Sequence, residues 1–160
     1  IAEGADILTQ HTDSPAMLQT AEKAGVLGFG QGSDMVKFAP KAQLFASVNN
    51  WGPYYIEQIQ KVMDGSWSTG DGPDHWAGNT WKGLAEDYLI ISEHRNMPDS
   101  VAGEATSAEN GIANGTLNIF EGPMKDNQGN IILKSGEVLD DAGLWAMNYY
   151  VEGVEGKIPN

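Results

Sequence analysis

Three short apolar runs, each closed by a polar cluster, constrain the fold of this chain more than any other feature. Ala5-Asp6-Ile7-Leu8 leads into Gln10-His11-Thr12-Asp13-Ser14-Pro15. Val26-Leu27-Gly28-Phe29-Gly30 leads into Gln31-Gly32-Ser33-Asp34-Met35, and Leu44-Phe45-Ala46-Ser47-Val48 into Asn49-Asn50-Trp51-Gly52-Pro53. One helix fits between the first two runs: Asp13 or Ser14 caps it, Pro15 takes its first position, and Gly25 closes it after Ala24. A strand, a helix and a second strand at that spacing make a βαβ unit, which requires a parallel sheet and a right-handed crossover. With strands expected over Ala5 to Gln10, Val26 to Gly30 and Gln43 to Asn49, the three clusters share the carboxyl edge of one sheet. Open α/β sheets bind their ligands at that edge.

Beyond the third run, Pro53 opens a second helix in which Tyr55, Ile56, Ile59, Val62 and Met63 recur near helical spacing, and Gly65 ends it. Residues 66–80 are rich in Gly, Asp and Trp and read as a loop. Between Trp81 and Ile91 the pattern is ambiguous, with Tyr88-Leu89-Ile90-Ile91 fitting a strand. A helix poor in large apolar residues is expected from Pro98 to Asn114. Leu117 to Leu133 reads as a hairpin turning at Asp126-Asn127-Gln128-Gly129-Asn130. A last helix is expected from Leu139 to Val151. The fold class is α/β, a mostly parallel sheet flanked by helices, with a β-hairpin added.

Charge and composition narrow the function. The 160 residues carry 22 acidic against 9 basic side chains, a net charge of −13, which disfavours nucleic acid and anionic membrane surfaces as partners. Without cysteine there are no disulfides, thiolate metal sites or thiol nucleophiles, although the compartment stays open. No apolar run approaches the roughly 20 residues of a membrane-spanning helix. The opening Ile1-Ala2-Glu3-Gly4-Ala5-Asp6 reads as a helix tail followed by a strand, so the chain is expected to be part of a longer protein.

In order along almost the whole chain, several strings resemble the second half of the basic-membrane-protein (BMP) family, the substrate-binding proteins of bacterial ABC importers that include purine nucleoside receptors. They are Gly4-Ala5-Asp6-Ile7, Gln10 to Pro15, Gly32-Ser33-Asp34-Met35, Lys37-Phe38-Ala39-Pro40 and Trp51-Gly52-Pro53-Tyr54-Tyr55. Phe120 to Asp126 and Gly136 to Gly143 extend the set. The resemblance implies the C-terminal lobe of a type I periplasmic-binding fold over residues 1–160, with 53–65 as a crossover helix packing on the N-terminal lobe. It also implies a purine base or purine nucleoside as ligand, an ABC permease as partner, and a location in the periplasm or lipid-anchored at the outer face of the cytoplasmic membrane. Family members are not enzymes, and no cofactor is expected. Nucleoside-binding members often carry a lysine at the hinge after the third strand. Asn50 stands there in this chain, which favours a free base over a ribose-bearing ligand. Residues 66–96 match the family poorly.

The candidate ligand-binding residues are Gln10, His11, Asp13, Gln31, Asp34, Asn50, Trp51 and Trp81. Asp34 is either a carboxylate accepting from a ribose hydroxyl or base N–H, or a loop aspartate capping a local turn. Gln31 joins it from the same cluster. Gln10 and His11 can match the donors and acceptors of a purine edge, as can Asp13 unless it caps the helix. Asn50 either donates to the ligand or pins the hinge backbone. Trp51 and Trp81 either stack on a purine or pack structurally, and Trp67 and Trp76 read as packing. His75 and His94 are isolated, and the loose acidic loop with Asp71 and Asp74 lacks EF-hand spacing, so no metal is expected. Asp13, Asp34 and His11 together also fit acid–base chemistry, but no nucleophile elbow or phosphate loop accompanies them. A sensor of the same fold for another small molecule is the remaining alternative.

Overall fold

The structure, a computed structural model, describes residues 1–68 and 80–159. The chain divides into two compact units, Ile1–Asn114 and Gly115–Asn160.

The first unit is built on a four-stranded sheet in the order β1-β2-β3-β4, with β1 Ile7–Leu8, β2 Leu27–Gly32, β3 Gln43–Asn49 and β4 Leu89–Ile91. The pairs β1–β2 and β2–β3 are parallel, so the three polar clusters do share one sheet edge. β4 returns antiparallel beside β3, pairing Ser47 with Ile91 and Asn49 with Leu89. The ambiguous stretch from Trp81 to Ile91 therefore ends in a strand, Leu89–Ile91, after a 3-10 turn at Leu84–Glu86. β1 is shorter than the run from Ala5 to Gln10, and the Gln10 side chain bonds within its own loop.

Helix α1, Ala16–Ala24, completes the βαβ unit. Its start differs from the sequence expectation: Pro15 occupies the cap position, and Ser14 Oγ accepts the Ala16 N–H at 3.3 Å. Asp13 makes no cap. At the other end Gly25 takes the left-handed conformation, φ 72°, and its N–H closes on the carbonyls of Ala21 and Glu22. Leu18 and Ala21 of α1 are fully buried with Met35, Ala39 and Ala42, forming the core on one face of the sheet. On the other face the Phe29 and Phe45 rings lie 4.6 Å apart, with His94 set edge-on to Phe45.

Helix α2 runs Trp51–Asp64, two residues earlier than Pro53, which sits in the first turn where its missing N–H costs nothing. No residue of α2 is buried; Ile56, Ile59 and Val62 are each about 60% exposed and Met63 82%. Helix α3, Asp99–Ala113, matches the expected span to within a residue. Its alanines supply propensity where large apolar residues are few.

In the second unit, β5 Met124–Lys125 and β6 Ile131–Leu133 form the expected hairpin. Asp126 organises its turn: Oδ1 accepts the N–H of Gln128 and Asn130 at 2.9 and 2.8 Å, and Oδ2 accepts Asn130 Nδ2 at 2.7 Å. These donors, Asn130 foremost, hold the Asp126 carboxyl below its ordinary pKa. The expected last helix shrinks to α4, Asp141–Trp145, whose first turn is capped by Asp140 Oδ1 accepting Gly143 N–H at 2.8 Å. It stops there because the following segment is recruited by the hairpin. Tyr150 O accepts Asn127 N–H, Val151 bridges Asp126, and Asn127 Nδ2 holds the carbonyls of Val154 and Gly156.

Candidate functional site

At the carboxyl end of β3 the chain turns directly into α2, and this junction carries the site. Asn50 is pinned on both sides: its backbone N–H donates to Tyr88 O at 2.9 Å and its side-chain Nδ2 to Asp87 O at 2.8 Å. That fixes the end of β3 against the segment entering β4. A cleft of about 340 Å³ opens there, lined by Asn49, Asn50, Trp51, Tyr54, Lys82 and Tyr88.

The cleft wall is aromatic. The Tyr54 ring stands edge-on to Trp51 at 6.0 Å and to Tyr88 at 6.4 Å. Trp51 is 55% exposed and stacks on Tyr55 at 6.1 Å with planes 26° apart. An exposed indole held by a neighbouring ring presents a preset flat surface to a planar ligand.

Beside the wall lies a charged cluster centred on Glu57 of α2. Lys61 Nζ approaches Glu57 Oε1 at 2.6 Å, while Lys82 Nζ at 2.7 Å and the Tyr88 hydroxyl at 2.5 Å share Oε2. The Lys61 and Lys82 ammoniums and the Tyr88 hydroxyl hold the Glu57 carboxyl down to about 2. The same bond to Glu57 raises the Lys82 ammonium and the Tyr88 phenol. Lys82 Nζ also sits over the Tyr88 ring, 4.9 Å from its centre. Two lysine ammoniums thus meet one carboxylate.

The predicted site residues divide. Asn50 and Trp51 line the cleft. Trp81 precedes Lys82 in sequence and is 55% exposed, but does not line it. Asp34 does what a turn aspartate does: its Oδ1 accepts Val36 N–H at 3.0 Å and Gln43 Nε2 at 2.6 Å. Gln43 is fully buried and passes the link inward, its Oε1 accepting Met35 N–H at 3.0 Å. Gln10 bonds Ser14 O at 3.0 Å through Nε2, which also reaches Met35 Sδ at 3.7 Å, so the first two polar loops touch. His11 and Asp13 are exposed in the first loop, and Gln31 lies half-buried in β2, paired in register with Ser47. His75, Trp76, Asp71 and Asp74 lie outside the described residues. Among the described residues no three His, Asp or Glu side chains come together to hold a metal ion.

Tyr54, Lys82 and Tyr88 escaped the sequence reading. Tyr54 stood inside the recognised Trp51-Gly52-Pro53-Tyr54-Tyr55 string and was visible in principle. Lys82 and Tyr88 reach the cleft only because β4 pairs with β3.

Comparison with known proteins bears on this site. No protein-family model matches the chain. It is 46% identical over 159 residues to a purine-binding protein of Brucella abortus, covering 99% of this chain and 43% of that relative. This chain is a homologue of that binding protein. It is also 26% identical over 161 residues to a Haloferax volcanii protein named as an ABC transporter glucose-binding protein, of which it spans 37%. The chain thus covers less than half the length of either homologue. Among solved structures, a transcriptional activator of the comK gene from Bacillus halodurans superposes with a TM-score of 0.59 at 15% identity. The match covers 72% of this chain and 39% of that one, and speaks to the fold alone. The resemblance read from the ordered sequence strings holds at the level of these homologues.

Proposed function

We propose that this chain is the C-terminal lobe of a two-lobe substrate-binding protein that captures a purine base or nucleoside and delivers it to an ABC permease. The observation that carries the reading is the aromatic cleft at the carboxyl edge of a parallel sheet, in a chain 46% identical to a purine-binding protein. Trp51 and Tyr54 cover a face of the base, and polar groups read its edge. Gln10, His11, Asp13, Gln31 and Asp34 face the same edge of the sheet and reach the ligand as the lobes close. Asp34 has Oδ2 available for this, since both of its bonds use Oδ1. Binding energy is spent on shifting an open state to a closed one rather than on chemistry.

The exposed apolar face of α2, from Ile56 to Met63, supports the crossover role of residues 53–65. A row of aliphatic side chains this open to water is stabilised by burial against another surface, and the N-terminal lobe is that surface. The working location is the periplasm or the outer face of the cytoplasmic membrane.

A thermal-shift panel on the two-lobe protein tests the reading. A ligand at a hundred times its dissociation constant stabilises the folded state by about 2.7 kcal/mol, which moves the melting temperature by several degrees. Purine bases or nucleosides are expected to give that shift. A shift with glucose and none with purines would overturn the purine assignment in favour of a sugar, the ligand named for the more distant homologue.

A further inference from the structure

We propose that Lys82 contacts the ligand, donating from its ammonium to an acceptor atom on the ligand's edge, a purine ring nitrogen or an exocyclic oxygen. This rests on the purine-binding reading of the same cleft. The ammonium has three N–H donors. One serves Glu57 Oε2 at 2.7 Å, a second is engaged by the Tyr88 hydroxyl, and the Tyr88 ring lies beneath the group at 4.9 Å. The remaining donor capacity belongs to a group that lines the cleft beside Trp51 and Tyr54.

Glu57 does not cancel the charge offered to the ligand. Its carboxylate is shared with Lys61 through the other oxygen, so its charge is divided between two ammoniums. The carboxylate and the phenol of Tyr88 hold a long, flexible side chain in one position, which lowers the entropy lost when it meets a ligand. A face-stacked purine oriented by one fixed donor is read at its acceptor edge, and a ligand presenting only donors there is rejected.

Lys61 provides the control. It pairs with the same carboxylate but does not line the cleft. Calorimetric titration of the two-lobe protein with adenine, hypoxanthine and guanine compares wild type, Lys82→Met and Lys61→Met. Loss of a hydrogen bond from a charged donor is expected to weaken the best purine by about tenfold or more in Lys82→Met, with Lys61→Met within about twofold of wild type. Lys82→Gln, which keeps a donor without charge, should fall between. Equal effects of the two methionine variants would show that Lys82 only supports Glu57 and would overturn the assignment. So would wild-type affinity in Lys82→Met, with purine binding intact. If wild type binds no purine, the functional reading itself fails, and the lysine assignment with it. Melting curves on each variant establish that the fold is retained.

Discussion

Tyr88 donates its hydroxyl to Glu57 at 2.5 Å, tying the residue that enters β4 to the second turn of α2. The bond joins two segments 31 residues apart beside the cleft that Tyr88 lines. Because the same carboxylate oxygen accepts Lys82, the position of a charged side chain depends on the pairing of a strand.

Acid should loosen this junction. Glu57 is depressed in the folded state to about 2 from an ordinary value of 4.5. A carboxyl depressed on folding contributes stability above its unfolded pKa, and that contribution is lost as pH falls toward the folded value. Glu57→Gln is therefore expected to lower the melting temperature slightly at pH 7 and to show a shallower decline than wild type between pH 5 and pH 2. Parallel declines measured by circular dichroism would mean that solvent screens the cluster completely.

Gln43→Leu removes a buried bridge. Gln43 is fully buried and satisfies Met35 N–H while bonding Asp34. Leaving the buried amide without a partner is expected to cost about 1–3 kcal/mol, read by urea denaturation. Asp34→Ala leaves Gln43 in place to accept from Met35 and should cost less. The reverse ranking would place the stabilising role in Asp34 rather than in the buried amide.

Trp51→Ala should separate the ligand face from the fold. Trp51 is more than half exposed, and its ring contacts are to Tyr54 and Tyr55 of its own helix. Stacking of a base on an aromatic side chain is worth about 1–3 kcal/mol, so purine affinity is expected to fall about tenfold or more while the melting temperature of the unliganded protein barely changes. Unchanged affinity would move the stacking role to Tyr54.

Gly122→Ala is expected to disrupt the second unit. A Cβ at Gly122 would stand 2.0 Å from the carbonyl oxygen of Lys134, a backbone atom. The hairpin and the Glu121–Val138 bridge must separate to admit it, so proteolysis within 115–160 should accelerate several-fold. Resistance equal to wild type would show that this loop relaxes without losing its pairing.

The parallel arrangement of β1, β2 and β3 was legible because apolar runs, Pro15 and Gly25 lie at βαβ spacing, a local pattern. The same holds for the Asp126 turn, whose residues satisfy one another within five positions. Asp34 was legible in both senses, and the alternative of a turn-capping carboxylate is the one its bonds express. The last helix misled because periodicity around Leu144 and Trp145 continues into Met147 and Tyr149. The backbone of Tyr150 and Val151 instead finds partners in Asn127 and Asp126, far behind them in sequence.

Sequence alone determined the fold class, the shared edge of the three polar loops, the kinship and the place of Asn50 and Trp51, since each depends on residues near one another in the chain. Only the tertiary structure decided that Lys82 and Tyr88 join them. No local pattern relates position 57 to positions 82 and 88. The antiparallel return of β4 along β3 brings a lysine from one segment and a carboxylate from another within 2.7 Å. Charge and ring contacts across that distance form only after backbone pairing has placed the segments side by side.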